Sequence, residues 1–335
     1  MSYEPRFTIT PILLARIEEI ARLRQRIQDA SVELAWIPAL QKDARTRNAH
    51  ASTAIEGNPL TLPEVCALSG GTDSPARIPR SQREVVNYFA GLRYVEQHSA
   101  DEPITTGHVL GLHRILANDV MDQGVEGEYR TIGIQVGKHR PPAPDEVPGL
   151  TSELLEWWNG PSAALSPAMT SAIVHYRFET IHPFGDGNGR AGRALALWEL
   201  YRRGFDTHHI FSVDEYYWED RPAYYAALER VRDEGEDLTS WLEYCAEGLR
   251  LTLERVWARI RAVAPDGTER LVLRPKQERL LHLLTVQGSM APSEIWEALG
   301  VSRQGAMDLI NPLIQAGLIE KVGTKKTGRY ISKKP

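Results

Sequence analysis

The chain has 335 residues, a net charge of −5, and 42% apolar and 25% charged residues, which suits a soluble globular protein of about two domains with a sizeable core. Its two cysteines, Cys66 and Cys245, exclude a disulfide framework and a zinc site made of cysteine alone, and fit a reducing cytoplasm. No apolar run approaches the roughly 18–20 residues of a membrane span, and Met1–Thr10 lacks the basic-then-apolar pattern of a secretory signal, so no membrane partner is expected.

Ile12, Leu13, Ile17, Ile20, Leu23 and Ile27 recur at three- and four-residue spacing and predict one long helix from Pro11 to Gln41. A second helix is expected over Lys42–Glu56, stopped by Gly57-Asn58-Pro59, and a short one at Leu62-Pro63-Glu64-Val65. Gly70–Pro79 reads as a surface loop, followed by helices over Ser81–His98 and Thr105–Val120. Between Glu128 and Pro148 the period changes: Ile132, Ile134 and Val136 alternate as in a short strand, Gly137-Lys138 turns it, and the prolines from Pro141 to Pro148 preclude a helix. Helices are then expected over Thr151–Trp158, Pro167–Thr180, Arg190–Arg203, Arg221–Glu234 and Leu238–Arg261, with a linker at Ala264-Pro265-Asp266-Gly267. The body is mainly α.

The most informative segment is His182-Pro183-Phe184-Gly185-Asp186-Gly187-Asn188-Gly189-Arg190-Ala191-Gly192-Arg193. A helix ends near Ile181, and a glycine-rich loop enters a new helix at about Gly189 or Arg190. Free amides at a helix N-terminus form an anion site, and Gly187 and Gly189 allow a phosphate close to the backbone. Arg190 and Arg193, three apart, project from one side of the first turn and suit a polyphosphate. Asp186 offers a hard oxygen for Mg²⁺, and His182 has the side chain whose ordinary pKa suits a general base near neutrality. Each feature alone is commonly structural; twelve residues carrying all of them are not.

This segment resembles the Fic motif, His-x-Phe-x-Asp/Glu-Gly-Asn-Gly-Arg-x-x-Arg, at every defined position, and the resemblance extends to Gly127–Arg130, to Pro141–Pro148 and over most of the chain to about Leu253. It implies a Fic helical core with a short β-hairpin flap that binds a target segment by strand addition. It implies a protein adenylyltransferase that moves AMP from ATP to a protein hydroxyl. His182 would deprotonate the Ser, Thr or Tyr hydroxyl, and Asp186 would hold Mg²⁺ against the α- and β-phosphates. Asn188 and the amides around Gly187 and Gly189 would cradle the α-phosphate, with Arg190 on the β- and Arg193 on the γ-phosphate. Ser52-Thr53-Ala54-Ile55-Glu56-Gly57 resembles the family's inhibitory helix, in which Glu56 would pair with Arg193 and deny the γ-phosphate its site; removal of AMP by the same Glu, modification of the protein's own tyrosines and homodimerisation are left open.

The C-terminal part differs in charge: residues 270–335 carry 11 Lys and Arg against 5 Asp and Glu, and the rest 28 against 39. Helices over Pro275–Val286, Pro292–Leu299 and Ser302–Gln315 precede a short basic hairpin, an order that resembles a winged helix-turn-helix. Ser302 would cap its recognition helix, Arg303 and Gln304 would open it, and Pro312 should kink or shorten it. Three regions are therefore expected: an N-terminal helical region with the inhibitory helix over 1–75, the catalytic core over 76–262 and the winged-helix domain over 268–335. DNA is one candidate partner of the last, and an ATP-sensing DNA-binding regulator is the alternative reading of the whole. His208-His209 has no carboxylate or cysteine at ligand spacing, and His175 and Glu179 read as packing and hydrogen bonding near the site.

Overall fold

The computed structural model describes residues 3–30, 37–69, 78–206, 208–263, 275–315, 318–322 and 328–332. The expected linker at 264–267, most of the expected loop at 70–79, and Lys325 and Lys326 of the hairpin lie outside the described residues. Two compact units form, one of Met1–Ile27 and Trp36–Arg261, the other of Gln28–Ala35 and Ala262–Pro335.

In the first unit, helix α1 is Pro11–Gln28 and α2 is Ile37–Ile55. The single helix expected to Gln41 is thus two, with Ile37–Gln41 opening the second. Pro38 gives the reason: it lacks an N–H and fits a first turn better than a helix interior. The short α3 (Leu62–Leu68) opens at Thr61, whose backbone N–H donates to the Glu64 carboxylate at 2.8 Å. Then follow α4 (Arg80–Gln97), α5 (Thr106–Ala117) and α6 (Val147–Asn159). Pro148 does not exclude a helix as expected; it sits in the first turn of α6, where its missing donor is not needed.

The expected strand at Ile132–Val136 is reduced to one antiparallel bridge, Val136 to His139, around a turn at Gly137-Lys138. Ile132 is 46% exposed, so the alternating apolar pattern has no buried face to hold a longer ladder.

Helices α7 (Pro167–Ile181) and α8 (Asn188–Arg202) form the centre, buried along nearly their whole length. Their surroundings include Trp158, Trp198 and Trp241, all fully buried; Trp158 donates to Glu199 at 2.6 Å and Trp241 to the Ala172 carbonyl at 2.8 Å. The unit is completed by α9 (Asp214–Glu219), α10 (Arg221–Asp233) and α11 (Thr239–Val263). Helix α9 was not anticipated, since six residues are too few to display a helical period. The second half of α2 is itself core: Ala49, Ala51, Ser52, Thr53, Ala54 and Ile55 are all buried. Small side chains there allow close helix approach, and Asn48 donates to the Phe211 carbonyl at 2.9 Å.

The second unit contains α12 (Pro275–Gln287), α13 (Pro292–Leu299) and α14 (Arg303–Gln315), then β1 (Ile319–Val322) antiparallel to β2 (Arg329–Ser332), with Ile319 opposite Ser332. A bridge from Met290 to Tyr330 ties the segment before α13 to this pair. Leu280, Leu284, Ile295, Ile310 and Leu313 fill its core. The Ser302 hydroxyl accepts the Gly305 N–H at 3.1 Å, the expected cap, and α14 runs through Pro312 without being shortened. Among the described residues no helix is long and apolar enough to cross a membrane.

Candidate active site

A cleft of about 800 Å³ is lined by the loop from His182 to Arg193, by Glu56, by Arg80 and Asp122, by Gly133–Gly137, and by the α10 face from Tyr224 to Arg232. The loop owes its shape to two left-handed residues. His182 ends α7 at φ +48°, a conformation that a side chain bearing Cβ adopts at a cost and that recurs at functional sites. Gly187, at φ +77°, caps α8, where glycine carries no such cost.

Asn188 holds the loop closed. Its side-chain oxygen accepts the Phe184 N–H and its amide donates to the Phe184 carbonyl, both at 2.9 Å. Both halves of the amide are thereby committed to the loop backbone. His113 supports the turn from below, its ring stacked on Phe184 at 3.6 Å between centroids. The Gly127 N–H donates to its Nδ1 at 2.9 Å, so Nε2 carries the proton and donates to the Asp186 carbonyl at 2.9 Å. Burial pushes the pKa of this ring down to about 4, and it stays neutral near pH 7.

The cationic wall follows. Arg190 is buried, and its Nε and Nη1 have no hydrogen-bond partner; its nearest anion is Asp186, 3.7 Å from Nη2. A buried guanidinium with spare donors beside the N-terminus of a helix suits anionic oxygens. Arg193, 1% exposed, is fully engaged. Its Nε donates to the Ser52 hydroxyl at 2.8 Å, and its Nη2 donates to the Ser52 carbonyl at 2.9 Å and to Glu56 Oε1 at 2.8 Å. Asp214 Oδ2 lies 3.8 Å from Nε and accepts from Tyr88 at 3.0 Å. Burial would lower the Arg193 pKa, but Glu56, Tyr224 and Asp214 outweigh it and raise it well above the ordinary value.

Glu56 follows α2 in a turn closed by Gly57. Its Oε1 lies directly over Gly189, so close that a Cβ there would collide with it. The carboxylate therefore rests on the first turn of α8, where an anion would bind. Asp186 turns its carboxylate toward the Asp122 N–H at 3.2 Å and toward Arg80 Nη2 at 3.9 Å. No group of three or more His, Cys, Asp or Glu side chains able to hold a metal occurs among the described residues. The Asp186 carboxylate beside the N-terminus of α8 fits Mg²⁺, which commonly takes one or two carboxylates and completes its shell with substrate phosphates and water.

Residues 103–200 match the family model described as Fic/DOC family. The chain is 34% identical over 214 residues to the protein adenylyltransferase fic-1 of Caenorhabditis briggsae, covering 61% of this chain and 39% of that one. It is 28% identical to the protein adenylyltransferase Fic of Aedes aegypti, covering 72% and 48%. The crystal structure of a Fic family protein from Desulfovibrio desulfuricans G20 superposes with a TM-score of 0.67 at 28% identity and covers 99% of both chains. This chain belongs to the Fic/DOC family. It spans less than half the length of the two curated relatives named above.

The Fic loop and the Ser52–Glu56 segment, far apart in the chain, meet in one cleft, and His182, Asp186, Gly187, Asn188, Gly189, Arg190, Arg193 and Glu56 all line it. Ser52 stands behind Arg193, fully buried. Sequence reasoning missed Arg130 as a hub: its Nε donates to the His182 carbonyl at 2.8 Å, Nη1 to the Ile132 carbonyl at 3.0 Å and Nη2 to the Pro142 carbonyl at 2.6 Å, joining the flap to the loop. It stands in the Gly127–Arg130 run that carries part of the family resemblance. For His113 there was no local signal. Tyr224, Tyr225, Leu228 and Arg232 of α10 line one side of the cleft.

Proposed function

We propose that this protein transfers AMP from ATP to a hydroxyl side chain of a target protein and that Glu56 restrains the reaction. The observation that carries this reading is the convergence of a base, His182, with the N-terminus of α8 and the spare donors of Arg190 in one cleft. His182 takes the hydroxyl proton, the oxygen attacks the α-phosphorus, the bond to the bridging oxygen breaks, and pyrophosphate leaves. The amides of Gly187 and Gly189 and the Arg190 guanidinium stabilise charge on the phosphates. Asn188 contributes by shaping the loop. Asp186 would hold Mg²⁺, which supplies charge neutralisation. The nucleoside would lie toward Tyr225, Leu228 and Arg232. The relatives named as protein adenylyltransferases support the same chemistry.

Glu56 supports a brake because it sits on the anion site and engages Arg193, so a γ-phosphate needs Glu56 displaced. A sensor that binds ATP without transfer needs no base at this position, and His182 favours the enzyme. For the C-terminal module we favour DNA-phosphate contact, since Arg303 and Gln304 are exposed at the start of α14; binding of a labelled duplex that falls with salt would support it, and none at low salt would oppose it. The transferase reading is tested by mass spectrometry of a lysate incubated with ATP, Mg²⁺ and the Glu56→Gly protein. Peptides bearing one AMP on a hydroxyl are expected, and their absence would contradict the reading.

A further inference from the structure

We infer that Glu179 is a positioning residue for His182, holding its ring as the Nδ1–H tautomer and leaving Nε2 as the basic nitrogen. The inference rests on the transferase reading above. Glu179 lies on α7 one turn before His182, and its Oε2 is 3.5 Å from His182 Nδ1. The backbone carbonyl of Glu179 lies 3.3 Å from the same nitrogen. Both oxygens only accept hydrogen bonds, so the proton of the neutral ring belongs on Nδ1.

Packing alone does not explain this carboxylate. Glu179 is buried, its Oε1 has no hydrogen-bond partner, and that oxygen fills the space over Gly192, where a Cβ would lie 2.6 Å away. An enclosed anion with a spare oxygen is costly unless it has a task. The charged and titratable groups facing it and His182 include His175 on α7, Arg193 on α8, Tyr224 on α10, and His139 and Arg130 on the flap side. Burial alone would raise the Glu179 pKa; the hydrogen bond and charge of His182, with His175 and Arg193, hold it below the ordinary carboxylate range. When His182 takes the hydroxyl proton, its positive charge arises beside this anion, so the contact strengthens toward the transition state.

The test uses ¹⁵N-histidine NMR and kinetics in the full chain carrying Glu56→Gly. That protein should show His182 with its proton on Nδ1. Adding Glu179→Gln places an amide donor within reach of Nδ1, so the Nε2–H tautomer should appear and kcat should fall about 10- to 100-fold, with KM for ATP changed less than about twofold. Should that variant fold poorly, Gly192→Ala crowds Oε1, shifts the carboxylate from Nδ1 and should lower kcat similarly, while the Glu179 carbonyl keeps the proton on Nδ1. Unchanged tautomer and kcat within about twofold would overturn the inference. Absence of transfer from the Glu56→Gly protein would instead overturn the transferase reading, and the ¹⁵N spectra alone would still decide the part of Glu179.

Discussion

Arg193 accounts for much of the chemistry at the scale of single residues. It is buried, its donors bind Ser52 and Glu56, and the anion it holds is Glu56 of its own chain. Glu56 is about one-third exposed and can leave without unfolding the core, whereas Arg193 and Ser52 cannot. Removing the carboxylate should free the site: Glu56→Gly is expected to raise AMP transfer about tenfold or more, measured as initial rate at fixed ATP. An unchanged rate in a folded variant would count against the brake. Residues of this kind were legible in sequence where the pattern is local. Ser52 and Glu56 lie four apart, and Arg190 and Arg193 three apart, so one helix turn brings each pair to a common side. Arg130, His113, Asp214 and Tyr88 were not legible: His182 lies 52 positions from Arg130, Asp186 73 from His113 and Tyr88 126 from Asp214, and no local spacing announces such pairs.

Among elements, the loop between α7 and α8 depends on side chains that bond its own backbone. Asn188→Ala would leave a buried N–H and a buried carbonyl of Phe184 unpaired, and should cost about 2 kcal/mol or more in urea unfolding at neutral pH. No measurable change would mean that the loop does not rely on this clamp. Helix contacts also set a pH response. His113 and His175 are buried, and burial lowers the pKa of each from 6.5 to about 4. The unfolded chain therefore binds more protons below pH 6.5. The stability concerned is complete above that pH and is lost as pH falls toward 4, on the order of 3 kcal/mol for each ring. The melting temperature should fall steadily from pH 7 to pH 5, and a flat profile would contradict the neutral assignment. Helix positions were largely readable from apolar period and from Pro and Gly. Errors arose at Pro38 and Pro148, where a first-turn proline was taken as helix interior or as a breaker, and in the flap, whose alternating residues find no buried partner face.

For the whole molecule, occupancy of the cleft should couple to stability of the first unit. A ligand that binds only the folded form at about 100 times its Kd adds about 2.7 kcal/mol. Mg²⁺-ATP should therefore raise the melting temperature by a few degrees, and more in Glu56→Gly than in the parent, because the parent must first displace its own carboxylate. Equal shifts in the two proteins would separate Glu56 from ATP binding. The charge asymmetry between residues 270–335 and the rest was visible in composition, and the C-terminal part forms its own core. What that core recognises is carried by surface residues, whose identity constrains a partner far less than a buried site does.

The most direct measurement is transfer of label from ATP labelled on the α-phosphate, in lysate with Mg²⁺, by the parent, by Glu56→Gly and by Glu56→Gly combined with His182→Ala. Weak labelling by the parent, strong labelling by Glu56→Gly and none by the double variant, which should still bind ATP, is the expected result. Protein-bound label that persists without His182, or none from any folded form, would contradict the transferase, its base and its brake.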